Sequence, residues 1–177
     1  MSPSPVMRTL LRFSLPALLV AAAVLAASLA PGRAHAELAD LGAAPDFKFR
    51  TFDGRELTRD ALKGKVVVVD FWATWCPPCV DELPGYAALQ KKHGADGLVI
   101  IGVSFDRKKP DFVQQFADRL GVNYPLTMGN ADVAELFGGF DALPTTFLID
   151  REGRIRHRKV GAMAHEDYEK LLLPLLK

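Results

Sequence analysis

Two cysteines are all that this chain of 177 residues contains, and they sit two residues apart as Cys76 and Cys79. So few sulfurs exclude a small secreted scaffold held by several disulfides. They also leave a structural zinc site short of ligands, because such sites take about four, commonly from two pairs. His93, His157 and His165 are not spaced to supply the rest. Charge of one sign is missing too. With 22 basic and 21 acidic side chains, there is no basic excess to hold nucleic acid. The short charged runs at residues 106–109 and 154–159 read as solvated faces or strand edges. Beyond residue 36 there is no internal repeat and no low-complexity linker. Hydrophobic residues make up 49% and charged residues 24%, an ordinary globular composition.

The first 36 residues contain no acid. Arg8 and Arg12 precede an uncharged run of 18 residues, 13–30, and Pro31, Gly32 and the sequence Ala34, His35, Ala36 follow. A basic start, an apolar middle and an A-x-A end form a secretory signal peptide. An uncleaved membrane anchor over residues 13–30 is the competing reading, since about 20 apolar residues span a bilayer. The break at Pro31 and Gly32 favours cleavage. No cysteine lies near residue 36, which excludes a lipoprotein. Either way, residues 37–177 are expected in the periplasm or another extracytoplasmic space. Those 141 residues suit one domain. Without Arg8, Arg12 and Arg33 they carry 19 basic and 21 acidic side chains, a net charge of −2.

Along this domain, "FKFRTF" alternates apolar and charged residues, Asp53 and Gly54 turn the chain, and "RELT" completes a small hairpin. "TRDALKG" predicts one helical turn, capped by Thr58 and stopped by Gly64. "VVVVDFWA" is a β-branched and aromatic run suited to a central strand buried on both faces. "PPCVDELPGYAALQKKHG" predicts a helix entered through proline and ended at Gly94. "LVIIGVSFD" is a second buried strand. In "PDFVQQFADRLG", Phe112, Val113, Phe116 and Leu120 stand at helical spacing before a stop at Gly121. "YPLTM" is a short strand and "ADVAELFGG" a short helix. "TTFLID" and "RIRHRKV" flank the turn "REG" and pair antiparallel. Tyr168, Leu171, Leu172 and Leu175 stripe a closing helix that Pro174 frays. The aromatics, Met128 and Met163 read as core. Strands alternating with helices give an α/β fold, with a mixed central sheet, helices on both faces and an N-terminal β-hairpin.

Four uses of the cysteine pair compete. A c-type haem anchor needs histidine after the second cysteine, and that residue is Val80. A metal site lacks ligands. A structural staple gains its stabilisation from the length of the loop it closes, and this loop is very short. Thiol–disulfide exchange fits better. A thiolate attacks, and a neighbouring thiol resolves the mixed disulfide. Pro77 can open a helix without losing a needed N–H. Cys76 then lies at the helix N-terminus, where free amides and the macrodipole favour a negative sulfur.

The segment "DFWATWCPPC" resembles the active-site motif of thioredoxins. It is more closely similar to that of the TlpA/ResA-like exported thiol–disulfide oxidoreductases of the redoxin superfamily. The likeness runs from about Phe47 to Leu176 and includes "VIIGVSFD" and "ALPTTFLIDREGRI". It implies a thioredoxin-like three-layer sandwich with a redox-active Cys76–Cys79 disulfide and no other cofactor or metal. Cys76 is then the nucleophile and Cys79 the resolving thiol. Trp75 covers the disulfide and shapes the docking surface together with Pro77. Leu143 and Pro144 form a cis peptide where substrate backbone pairs. Pro84 kinks the long helix.

Two acids stand near the pair. Asp70 lies on a buried strand, where its charged form is disfavoured and its pKa should rise. It matches the thioredoxin acid that carries the resolving thiol's proton; the alternative is a hydrogen-bonded core carboxylate. Glu82 follows Cys79 by three residues on one helix face. The ResA-like branch has a tuning acid there; the alternative is a solvated surface carboxylate. The chain departs from its relatives in carrying both acids, where many TlpA-like sequences have an amide at Asp70. Gly102 stands in place of thioredoxin's lysine partner. Leu143 is bulkier than the usual valine or isoleucine.

The expected activity is reduction of protein disulfides outside the cytoplasm. Relatives reduce apocytochrome c during cytochrome c maturation, or copper-site proteins during oxidase assembly, and draw electrons from a membrane thiol-transfer reductant. A thiol peroxidase on the same fold places Pro-x-x-x-Thr-x-x-Cys before its cysteine. Here Val69 and Ala73 occupy the proline and threonine positions. A copper-binding assembly chaperone usually separates its cysteines by three residues and adds a histidine, so it too fits poorly.

Overall fold

The computed structural model describes residues 38–177, so the signal and anchor readings of the leader lie outside the described residues. Among those described, no helix is long and apolar enough to cross a membrane. The elements follow the expected order. Strands β1 (Lys48–Arg50) and β2 (Glu56–Thr58) precede a 3₁₀ turn (Asp60–Leu62). Then come β3 (Val66–Trp72), α1 (Pro77–His93), β4 (Leu98–Ser104), α2 (Pro110–Arg119), β5 (Leu126–Met128), α3 (Ala131–Leu136), β6 (Thr145–Ile149), β7 (Ile155–Val160) and α4 (His165–Leu172).

The main sheet has the order β5-β4-β3-β6-β7. β3 pairs parallel with β4 and antiparallel with β6, so the sheet is mixed. All seven residues of β3 are buried, as a β-branched run at the centre of a covered sheet requires. β1 and β2 form a separate antiparallel hairpin in which Phe49 faces Leu57. Gly54 takes φ 84° at its turn, a left-handed conformation that glycine adopts at little steric cost. The Phe52 amide donates to Leu126 O at 2.9 Å, fastening the hairpin beside β5.

Alternation along β3 feeds two cores. Val66, Val68 and Trp72 face a core that also holds Cys76, Cys79, Leu83 and Tyr86 of α1, Val113 and Ala117 of α2, and Tyr168 and Leu172 of α4. Val67, Val69 and Phe71 face a second core built with Phe47, Phe49, Phe137 and Phe147. Val133 of α3 packs against that second core, so helices cover both faces.

Several local expectations change. The segment after β2 is a 3₁₀ turn, in which Thr58 Oγ1 accepts from the Ala61 amide at 3.1 Å. Gly94 ends α1 but stays right-handed at φ −58°; Gly97, at φ 99°, turns the chain into β4. Phe112 is 44% exposed rather than core, because Val113 and Ala117 occupy the buried stripe of α2. Asp106 is not a solvated face. It is buried at 7% exposure, and its partners lie in the site below.

Candidate active site

The loop after β3 delivers Cys76 to the N-cap of α1, with proline in the first turn. The Cys76 amide donates to Ala73 O at 3.2 Å, and Cys76 O accepts from the Val80 amide at 3.1 Å. Cys76 and Cys79 are joined as a disulfide and are 5% and 1% exposed. Asp106 anchors this loop from the end of β4. Its carboxylate accepts from the Thr74 amide at 2.9 Å, the Thr74 hydroxyl at 2.6 Å and the Ser104 hydroxyl at 2.8 Å. Sequence reading grouped Asp106 with the lysines that follow it and missed this role. The only available signal was its place just beyond a buried strand.

Trp75 is 65% exposed and offers its indole to solvent beside the disulfide. Pro77 is exposed. The Leu143–Pro144 bond is cis, and Pro144 O accepts from the Gly161 amide at 2.8 Å. Thr145, the next residue, pairs with Phe71, so Pro144 lies at the same end of the sheet as the cysteine loop. Leu143 packs against both cores. Pro84 lies inside α1, where its missing N–H leaves one carbonyl of the preceding turn without its helical partner.

Both expected acids converge on the cysteine side of the sheet. Asp70 is 1% exposed, and its Oδ1 is buried without a hydrogen-bond partner. Burial, reinforced by the negative charge of Glu82, pushes its carboxyl well above the usual range. Glu82 is half-buried and is no surface carboxylate. Its Oε1 accepts from the Met163 amide at 2.6 Å, tying α1 to the loop after β7, while Oε2 is buried and unpartnered. Burial raises its pKa, against smaller opposing effects from the Met163 amide and Lys159.

Gly102 stands beside Asp70 in the β3–β4 pairing. A Cβ there would lie 2.6 Å from Leu126 Cδ2 and 3.0 Å from Trp72 Nε1, so the space of a basic partner is already filled by apolar packing. Three phenols that sequence reading assigned to the core surround this region. Tyr86, Tyr124 and Tyr168 each feel the charge of Asp70 and of Glu82, although burial is the main cause of their raised pKa values. A cleft of about 320 Å³ opens next to the disulfide, lined by Pro78, Asp81, Glu82, Tyr86, Met163 and His165.

A CxxC cysteine pair at a helix N-terminus, with one buried acid on the preceding strand of a mixed sheet and a second, half-buried, on the helix itself, defines a thiol–disulfide oxidoreductase of thioredoxin-like fold. Comparison with known proteins agrees. Residues 42–158 match the AhpC/TSA family, and the chain belongs to that family. It is 36% identical over 129 residues to the thiol-disulfide oxidoreductase ResA of Geobacillus thermodenitrificans, covering 73% of this chain and 74% of that protein. ResA of Bacillus subtilis is likewise 36% identical, over 137 residues and 74% of each chain. Among solved structures, a thiol:disulfide interchange protein of the thioredoxin family from Chlorobium tepidum superposes with a TM-score of 0.71 at 30% identity. That match covers 78% of this chain and 99% of that one. The chain is therefore an oxidoreductase that acts on thiols and disulfides.

Proposed function

We propose that this protein works outside the cytoplasm as a reductant of protein disulfides. Its substrates are of the kind met in cytochrome c maturation or copper-site assembly, and a membrane thiol-transfer protein re-reduces it. The observation that carries this reading is the Cys76–Cys79 pair at the start of α1, on the side of the sheet that holds buried Asp70 and half-buried Glu82. The names of the ResA and thiol:disulfide interchange relatives support it.

In this reading the reduced enzyme attacks through Cys76. Its thiolate is favoured by the first-turn amides of α1 and the positive end of the helix dipole. Cys76 Sγ bonds to one sulfur of the target disulfide, and the other leaves as a thiolate. Cys79 then loses its proton, and its sulfur displaces the target's remaining sulfur from Cys76. The target departs reduced by two electrons, and the enzyme disulfide closes. Asp70 accepts the Cys79 proton, because a desolvated carboxylate of raised pKa is a strong base when ionised. Trp75, Pro77, Leu143 and Pro144 form the rim where the target strand docks.

The test is trapping. A Cys79→Ser variant of the full chain is expected to accumulate mixed disulfides with its physiological targets. Multiple turnover at the wild-type rate by that variant would show the roles of the two cysteines to be misassigned. The direction of electron flow is read from the reduction potential. A value near about −270 mV fits a reductant, and one near about −120 mV an oxidant.

A further inference from the structure

The loop that carries Cys76 is held from outside itself. Residues 73–76 join β3 to α1, and no side chain caps α1 at Cys76. Among the described residues, the side-chain hydrogen bonds of this loop all go to Asp106. Its Oδ1 accepts from the Thr74 hydroxyl at 2.6 Å. Its Oδ2 accepts from the Thr74 amide at 2.9 Å and from the Ser104 hydroxyl at 2.8 Å. Hydrogen bonds to an ionised acceptor are roughly twice as strong as neutral ones, so a buried carboxylate makes a firm anchor.

Asp106 stands on a fixed base. Its own amide donates to Ser104 Oγ at 3.2 Å. The Phe105 amide donates to Trp72 O, and the Gly129 amide to Ser104 O, each at 2.8 Å. The end of β4 is thus tied to the last residue of β3 on one side and to the residue after β5 on the other. From Thr74 the chain needs only Trp75 to reach Cys76, so little freedom separates the anchor from the sulfur.

The anchor weighs differently in the two redox states. With the disulfide closed, Cys76 is also bonded to Cys79 inside α1. With it open, that tie is gone. What remains are the backbone bonds of Cys76 to Ala73 and Val80 and the grip of Asp106 on Thr74. Ordering a free loop costs conformational entropy, and a loop held in advance avoids that cost when its sulfur reacts.

We propose that Asp106, through Thr74, keeps the cysteine loop of the reduced enzyme in the geometry of the oxidised one, poised to attack a target and to close on Cys79. Both are positioning residues that act through the loop backbone. They add no step to the exchange, whose bonds and electrons are those given above.

The inference rests on the exchange reading, and one set of measurements separates the two. Full-length protein is equilibrated with glutathione buffers, and its reduced form is reacted with a disulfide peptide. Absence of exchange in the wild type would remove the underlying reading. Given exchange, Thr74→Val is the probe, because it spares the amide and Ser104 bonds to Asp106. It is expected to lower the equilibrium constant for closing the Cys76–Cys79 disulfide about threefold to tenfold, and the rate of attack by a similar factor. Thr74→Ser keeps a hydroxyl and should return both to within about twofold of wild type. Thr127→Val controls for stability alone. It removes a buried hydroxyl bonded to Arg50 O at 2.8 Å beside the hairpin. It should lower the urea midpoint and leave both redox readings unchanged. Wild-type readings from Thr74→Val, or equal shifts from Thr127→Val, would overturn the proposal. A further measurement needs no variant. Hydrogen exchange at the Thr74 amide should be equally slow in the oxidised and reduced wild type. Loss of that protection on reduction would also overturn the proposal.

Discussion

The two faces of the central sheet are built on opposite plans. On the hairpin side, aliphatic and aromatic side chains pack together, and the buried threonines that alternate onto that face are satisfied: Thr127 Oγ1 donates to Arg50 O at 2.8 Å and Thr145 Oγ1 to Ala142 O at 2.7 Å. Phe71 meets Phe137 at 5.1 Å and Phe147 at 5.8 Å in edge-on contacts, the geometry aromatic rings prefer. On the cysteine side, the same alternation places Asp70 where a valine would pack, among a disulfide, a tryptophan and three tyrosines. One face is filled for stability, while the other gives up hydrogen bonds to hold acids under a disulfide. The difference shows where function has displaced packing within a single strand.

That contrast can be broken from either side. The largest effect is expected for Cys76→Ser, which should abolish exchange with any disulfide and leave the hairpin-side core untouched; activity is read with a disulfide peptide. Phe71→Ala should do the reverse. It is expected to cost about 3–5 kcal/mol of unfolding free energy, read from urea transitions, while the variant that remains folded still exchanges.

Asp70→Asn sharpens the comparison, because stability and activity should move apart. The amide should slow resolution by about tenfold to a hundredfold without destabilising the fold, since it removes the cost of a buried unpaired charge. The pH dependence has a definite sign. Asp70 has a folded pKa above its unfolded value, so the stability it confers is fully present below about pH 4, the unfolded value. It is lost as pH rises through the folded value. The advantage of Asp70→Asn over wild type in urea should therefore grow upward from about pH 4. Glu82, also raised, adds a change of the same sign to both proteins. An advantage that shrank with rising pH would contradict the burial argument.

The smallest effect on the fold belongs to Trp75→Ala. The indole is mostly exposed, so stability should change by no more than about 0.5 kcal/mol. Protein substrates should lose affinity, seen as a higher KM, while a small disulfide such as oxidised glutathione reacts as before.

Much of this was legible along the chain. "VVVVDFWA" announced a central strand, and an acid inside it stood out as a buried charge. The spacing of Cys76, Cys79 and Glu82 placed them on one helix. Other parts were not legible. Asp106 sat among charged neighbours, and nothing local marked it as the anchor of Thr74, 32 residues away. Tyr86 and Tyr168 fell at helical core positions, where a phenol and a phenylalanine give the same pattern.

What the sequence determined by itself was the order of elements and the chemistry of the cysteine pair. Both arise from short-range rules: side-chain periodicity, proline at a helix start, and two thiols within one turn. Only the tertiary structure decided what surrounds that pair. It brought Thr146 opposite Asp70, closed the space beside Gly102, tied Glu82 to Met163 and left the phenols unpartnered. Such facts depend on pairings between residues far apart in the chain, and burial reverses the cost of a polar group only once those pairings have excluded water.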